Sequence, residues 1–190
     1  MSDIGERKLK EELQKIAKDD FVILPNVKGK HLIHTNREVE VDFMFYPKEH
    51  LINAGFDPIW FGIEVKDFGD KCDAEKMSRF ICQSISYVQL EFQIEGRMIR
   101  PVFVLGYSNV EDVISKANPN ECAFQQWFRL SHLAGLMNVG IFEKYEPKRG
   151  SPLRGWYIRF ITSHWFWKKN GKYFKSKYNI YKVNVGNCSE

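Results

Sequence analysis

Two stretches of the chain alternate polar and apolar residues one for one, and two others repeat their apolar residues at helical spacing. In "REVEVDFMFYP", Glu38, Glu40 and Asp42 alternate with Val39, Val41 and Phe43. That period of two predicts a strand with one polar face, ended by Pro47. In the segment Ile59–Asp67, Glu64 and Lys66 alternate with Ile63 and Val65, so both charged side chains fall on one face of a second strand. Leu9, Leu13 and Ile16 follow Asp3 and Glu6, which resemble a capping box, and predict a helix over 4–18.

The remaining pattern completes an alternating order. Phe21 to Leu24 reads as a short strand stopped by Pro25-Asn26, and the turn-rich "NVKGKHLIHTN" as a hairpin. Residues 48–58 read as a loop. Asp70 and Asp73 offer N-caps for a long helix over 73–95 closed by Gly96, apolar at Met77, Phe80, Ile81, Ile85, Val88, Leu90 and Phe92. "MIRPVFVLGY" reads as a central strand with Pro101 near its start. Short helices are expected from Asn109 and from Asn118-Pro119 to Leu136, then a strand at "NVGIFEKYE". A hairpin turning at Asn170-Gly171 closes the chain.

This order predicts an α/β fold: a mixed central sheet flanked by helices, with a C-terminal β-hairpin extension. The long helix would serve as the crossover between parallel strands. One domain is expected over 1–190, with a core over about 1–108 and a helical and basic aromatic extension over about 109–190.

Composition narrows the chemistry. The four cysteines, Cys72, Cys82, Cys122 and Cys188, form no CxxC pair, and the five histidines form no HExxH array, which argues against structural zinc and a disulfide framework. No Gly-rich phosphate loop, GxSxG or Cys/His pairing is present. No stretch of eighteen apolar residues suggests a membrane span. The charged start "MSDIGERKLKEELQK" leads us to expect a cytoplasmic protein. The net charge of +4 is mild, but Lys144 to Lys182 holds eleven Lys/Arg and one acid, Glu146. There Arg154, Arg159, Lys168, Lys169, Lys172, Lys175 and Lys177 interleave with Trp156, Tyr157, Trp165, Trp167, Tyr173 and Tyr178. Cations facing phosphates and rings stacking on bases would make this block a nucleic-acid contact. A sheet with core aromatics and edge lysines would show the same composition.

The Glu-x-Lys in the second strand needs an explanation, because an unpaired buried charge is costly. If that strand pairs with the one carrying Asp42, one face holds Asp42, Glu64 and Lys66. Two carboxylates at close range repel unless a cation lies between them. Mg²⁺, or Mn²⁺ in its place, suits oxygen ligands and substrate phosphates. A lysine beside it would orient an attacking water or steady developing charge, as metal-assisted phosphodiester hydrolysis requires. A solvated strand face with a cross-strand ion pair is the simpler reading of the same residues.

Asp42 followed by Glu64-Val65-Lys66 resembles the signature of the PD-(D/E)xK nuclease superfamily. The order expected from Ile4 to Tyr107 follows that family's core of a helix, a three-stranded meander, a helix and a fourth strand. The resemblance implies a restriction-endonuclease-like core in which Asp42 and Glu64 bind the metal and Lys66 is the catalytic lysine. It further implies a ligand on the first helix, for which Glu12 fits by helical phase, and a Gln with an aromatic on the later helix, for which Gln83 and Tyr87 fit. Glu12 is equally explicable as an ordinary charged helix residue, and Gln83 and Tyr87 as helix packing. Val41 stands where the motif has proline, and the 21 residues between Asp42 and Glu64 require an inserted loop. The expected activity is that of a Mg²⁺-dependent nuclease acting on DNA, as a dimer if two strands are cut together. The alternative is a catalytically inactive nuclease-fold protein that binds nucleic acid or serves assembly.

Overall fold

The computed structural model describes residues 4–31, 38–53, 56–69, 73–101, 104–109, 134, 137–145, 155–159, 165–167 and 173–175. Helix α1 spans Ile4–Ala17, followed by strands β1 (Phe21–His31) and β2 (Glu38–Pro47), the short helix α2 (Glu49–Asn53) and strand β3 (Phe61–Lys66). Then come helix α3 (Ala74–Val88) and strands β4 (Leu90–Ile94), β5 (Arg97–Ile99), β6 (Val104–Ser108), β7 (Val139–Tyr145), β8 (Gly155–Arg159), β9 (Trp165–Trp167) and β10 (Tyr173–Lys175).

Eight of these strands form one mixed sheet in the order β5-β4-β1-β2-β3-β6-β7-β8. β1, β2 and β3 are an antiparallel meander; β6 and β7 lie parallel to β3, and β8 turns back antiparallel. The expected α/β class with a mixed sheet flanked by helices is therefore observed. α1 packs on one face, where Leu13 and Ala17 meet Phe21, Phe43, Phe45, Phe61, Ile63 and Val65. α3 packs on the other, where Met77, Phe80, Ile81 and Val88 meet Met44, Val104 and Ile141. Among the described residues no helix is long and apolar enough to cross a membrane.

The core beneath α1 is aromatic. Phe21 lies within 5.9 Å, centroid to centroid, of Phe45, Phe56, Phe61, Phe142 and Trp156. Each buried ring of this size contributes about 1.5–3 kcal/mol. Trp156 stacks on Phe142 at 4.6 Å and donates its indole N–H to Asp20 Oδ2 at 2.8 Å. It is 97% removed from solvent. This ring of the basic aromatic block is thus core, not a platform for bases.

Three elements differ from the sequence pattern. β1 does not stop at Pro25-Asn26 but runs on to His31. β4 pairs only with Gly29–His31, so the Pro25 end of β1 has an open edge on that side, where a missing N–H costs no ladder bond. The first half of "NVKGKHLIHTN" is therefore strand, and 32–36 lie outside the described residues. Within the expected loop, 49–53 is helical.

The long helix is the largest correction. α3 begins as expected at Asp73, whose carboxylate accepts from the N–H groups of Glu75 and Lys76, but it ends at Val88. Leu90, Phe92 and Ile94 are buried in alternation and belong to β4. Glu95 and Gly96 have φ of 48° and 77°, and Ile94 pairs with Arg97. Gly96 is thus half of a two-residue hairpin turn, not a helix cap. The crossover from β3 to β6 contains α3 and this β4–β5 hairpin, which extends the far edge of the sheet.

The strand expected in 98–107 is split between β5 and β6, and that expected after Asn138 is β7. Of the helices expected over 109–136, Asn109 is a bend rather than helix, Ala134 is helical and buried, and the rest lie outside the described residues. β9 and β10 pair antiparallel, Trp167 opposite Tyr173; the expected turn at Asn170-Gly171 lies outside the described residues.

Candidate active site

The site lies where β2 and β3 part. Their pairs run Phe45↔Phe61, Met44↔Gly62 and Phe43↔Ile63. The same register sets Asp42 opposite Glu64, one step beyond the last pair. There the ladder gives way to a side chain: Asp42 Oδ2 accepts the N–H of Val65 at 2.8 Å. On its other flank, the pairs Pro25↔Phe43 and Val27↔Val41 set Asn26 opposite Asp42, again without pairing. Asn26 has φ of 50°, a left-handed conformation that Asn tolerates better than most residues. Asp42 therefore occupies a local break in the sheet on both sides.

β3 delivers the other two residues. Ile63 and Val65 belong to the core under α1, so Glu64 falls on the opposite face, toward α3. Glu64 is 4% exposed. It pairs in register with Gly106 of β6, over which the Phe80 ring sits so closely that a Cβ would come within 2.2 Å of it. Glu64 Oε2 is buried without a hydrogen-bond partner. Burial pushes the Glu64 carboxyl well above the usual range, and the Asp42 charge adds to this, while Lys66 and Lys10 oppose it. Asp42 is also raised by burial, against the hydrogen bonds from Lys10 and the Val65 N–H.

α1 supplies the counter-charges. Glu6, Lys10, Leu13 and Ala17 follow steps of four, three and four residues and form one stripe. The apolar half of that stripe is buried in the core, and the polar half reaches the fork. Lys10 Nζ donates to Asp42 Oδ1 at 2.5 Å and lies 3.6 Å from Glu6 Oε1. Lys66 Nζ lies 2.9 Å from Glu6 Oε2. Burial lowers the Lys10 ammonium, but the hydrogen bond and charge of Asp42, with Glu6 and Glu64, outweigh it and leave its pKa raised.

The segment after Lys66 is tied down by Asn109. Its side-chain amide donates to Asp67 Oδ1 at 2.8 Å, and its carbonyl oxygen accepts from the Phe68 N–H at 2.8 Å. Behind Glu64, Gln83 Nε2 donates to Tyr87 Oη at 2.5 Å, and that hydroxyl donates to the Glu40 carbonyl at 2.9 Å. Burial raises the Tyr87 phenol, and the Glu64 charge raises it further. Gln83 thus acts on the fork through Tyr87.

Of the residues singled out in sequence, Asp42, Glu64 and Lys66 are near enough for their charges to act on one another, but they do not share one face as expected: Glu64 falls toward α3, whereas Asp42 and Lys66 meet Lys10 and Glu6 of α1. Glu12 is not the helix carboxylate at the fork. It is exposed, and its Oε1 accepts from Tyr107 Oη of β6 at 3.4 Å. Glu6 takes that place, and Lys10 was missed altogether. The signal for both was present, since extending the Leu13–Ala17 stripe upstream lands on Lys10 and Glu6. Glu40 is exposed and contributes a backbone carbonyl only. The side chains of Arg154, Arg159, Lys168, Lys169, Lys172 and Lys175 lie outside the described residues.

Among the described residues, no three Asp, Glu, His or Cys side chains are arranged as a ligand set. The donor chemistry at the fork still fits a hard divalent cation. Glu64 Oε2 is an orphaned buried acceptor, Asp42 faces it in register, and all available donors are oxygens.

Comparisons of this chain with family models, with curated proteins and with solved structures found no match.

Proposed function

We propose that the protein is a metal-dependent nuclease of the PD-(D/E)xK type, with a restriction-endonuclease-like core, hydrolysing phosphodiester bonds in DNA with Mg²⁺ or Mn²⁺. The observation that carries this reading is the opposition of Asp42 and a buried Glu64, whose Oε2 has no hydrogen-bond partner, at a strand fork, with Lys66 two residues further on.

In this reading Asp42 and Glu64 hold the ion. Bound there, the ion would supply Lewis-acid polarisation of a phosphoryl oxygen and acidify a nearby water. The remaining work falls to the chain. Lys66, held by Glu6, orients the attacking water or steadies charge on the phosphate. Glu6 fixes the direction of the ammonium without touching substrate. Tyr87, anchored by Gln83 and the Glu40 carbonyl, walls the α3 side of the fork. The basic residues after Lys144 bind the phosphate backbone.

The test is cleavage of plasmid and single-stranded DNA with Mg²⁺ or Mn²⁺. Wild type is expected to cut and Lys66→Ala to be nearly inactive; equal behaviour of the two removes the catalytic role. A second reading, a nuclease-fold protein that binds nucleic acid without turnover, is favoured by the ion pair that already neutralises Asp42. Salt-sensitive DNA binding that persists in chelator, without cleavage, would select it.

A further inference from the structure

We propose that Lys10 is a tethered counter-ion that exchanges with the divalent cation: its ammonium rests on Asp42 when the metal is away and leaves Asp42 when the metal arrives. The inference rests on the metal-dependent reading and adds a residue and a control to it.

Both oxygens of Asp42 are engaged. Oδ2 accepts a backbone N–H that is fixed by the strand fork, and Oδ1 accepts from Lys10 Nζ. Only the second partner is on a flexible stem, so only it can give way. An ion between the strands would draw on Asp42 Oδ1 together with the Glu64 carboxylate, whose Oε2 has no hydrogen-bond partner. The first is the atom that Lys10 holds.

Charge bookkeeping favours the exchange. Glu6, Asp42 and Glu64 set three carboxylates against the ammoniums of Lys10 and Lys66. With Glu64 ionised the cluster carries one net negative charge, and Lys10 stays within it when it moves from Asp42 to Glu6. An ammonium kept on Asp42 beside a divalent ion would set like charges against each other, and the move to Glu6 relieves this. Lys10 also has an alternative anchor. Glu6 lies one turn back on the same face of α1, its Oε1 3.6 Å from Nζ, and can take the ammonium without any backbone movement. Lys66, on the other oxygen of Glu6, does not compete for Oε1.

The arrangement has a consequence for the ion's affinity. Metal binding must first release a part-buried ion pair, so the wild-type site should be weaker for metal than its carboxylates alone would make it. Removing the ammonium should strengthen binding, whereas a merely structural lysine would weaken the site when lost.

Two measurements without DNA test this. The first is calorimetric titration of wild type, Lys10→Met and Asp42→Asn with Mg²⁺ or Mn²⁺ alone. Lys10→Met should bind about tenfold more tightly than wild type, and Asp42→Asn should lose binding. The second uses wild type only: amine acylation read by peptide mass spectrometry with and without Mg²⁺. Lys10 modification should rise severalfold with the ion, while exposed Lys8 stays constant. This second measurement decides the matter if Lys10→Met fails to fold. Metal binding that is equal in or weakened by Lys10→Met, or Lys10 labelling indifferent to a bound ion, overturns the exchange and leaves the metal site standing. No binding to wild type or to Lys10→Met overturns the metal site and the exchange together.

Discussion

Lys66 at the end of β3 and Glu6 in the first turn of α1 form an ion pair of 2.9 Å, which joins the strand carrying the Glu-x-Lys pattern to a helix on the other face of the sheet. A lysine on so short a tether to a carboxylate is held in one direction. Lys66→Ala should lower DNA cleavage by at least about 100-fold, the usual scale for losing a positioned catalytic group. Glu6→Gln should lower kcat about tenfold with little change in KM, since it leaves the lysine but not its guide. Glu12→Ala should stay near wild type. Steady-state kinetics on the three variants separates the two helix carboxylates, and a larger loss for Glu12→Ala than for Glu6→Gln would contradict the assignment.

Glu64 makes stability depend on pH in a direction opposite to that of an ordinary paired carboxylate. Its folded-state pKa is raised above the unfolded value near 4.5, chiefly by burial. The neutral acid is favoured in the fold, so its contribution is fully present below about pH 4.5 and is lost as pH rises through the raised value. Each unit of upward shift corresponds to about 1.4 kcal/mol. In chelator, Glu64→Gln should therefore melt higher than wild type at pH 8, with the gap closing toward pH 4. Added Mg²⁺ should raise the wild-type Tm at pH 8 more than that of the variant. Thermal melts across this range check both statements.

Gly106 has no room for a side chain. A Cβ there would stand 2.2 Å from Phe80 Cζ, on the strand residue paired with Glu64. Gly106→Ala should cost about 1–3 kcal/mol as Phe80 is forced aside. Urea denaturation measures the cost. Phe80→Leu in the same chain should recover part of it, and a Gly106→Ala protein as stable as wild type would show that α3 does not seat as described.

Trp156 and Asp20 hold β8 to the turn after α1. The indole N–H meets the carboxylate at 2.8 Å, and His50 Nε2 lies 2.9 Å from the other oxygen. Trp156→Phe keeps most of the ring but leaves the carboxylate a donor short, and should cost about 1–3 kcal/mol. A double-mutant cycle with Asp20→Asn should give a coupling energy of about 1 kcal/mol or more; a value near zero would mean that the pair does not bind.

The sequence by itself determined the local elements whose pattern is strong and whose neighbours agree. The polar face of Glu38, Glu40 and Asp42, the Glu64-x-Lys66 step, the Asp73 cap and the Leu9–Leu13–Ile16 periodicity each named an element that the structure contains. It also brought Asp42, Glu64 and Lys66 forward as one set, but alternation did not show that Lys66 reaches across to Glu6 of α1. It misjudged 89–96, where Leu90, Phe92 and Ile94 suit a helix or a strand equally by composition; pairing with β1 and a left-handed Glu95-Gly96 turn decided for the strand. Only the tertiary structure decided that Glu6 and Lys10, not Glu12, serve the fork. Helical phase narrows the choice of side chains, but the seating of α1 on Phe21 and Phe43 sets which end of the stripe meets β2 and β3. The break that frees Asp42 was likewise decided in three dimensions. It arises from two ladders failing at the same residue, and no single strand carries that information.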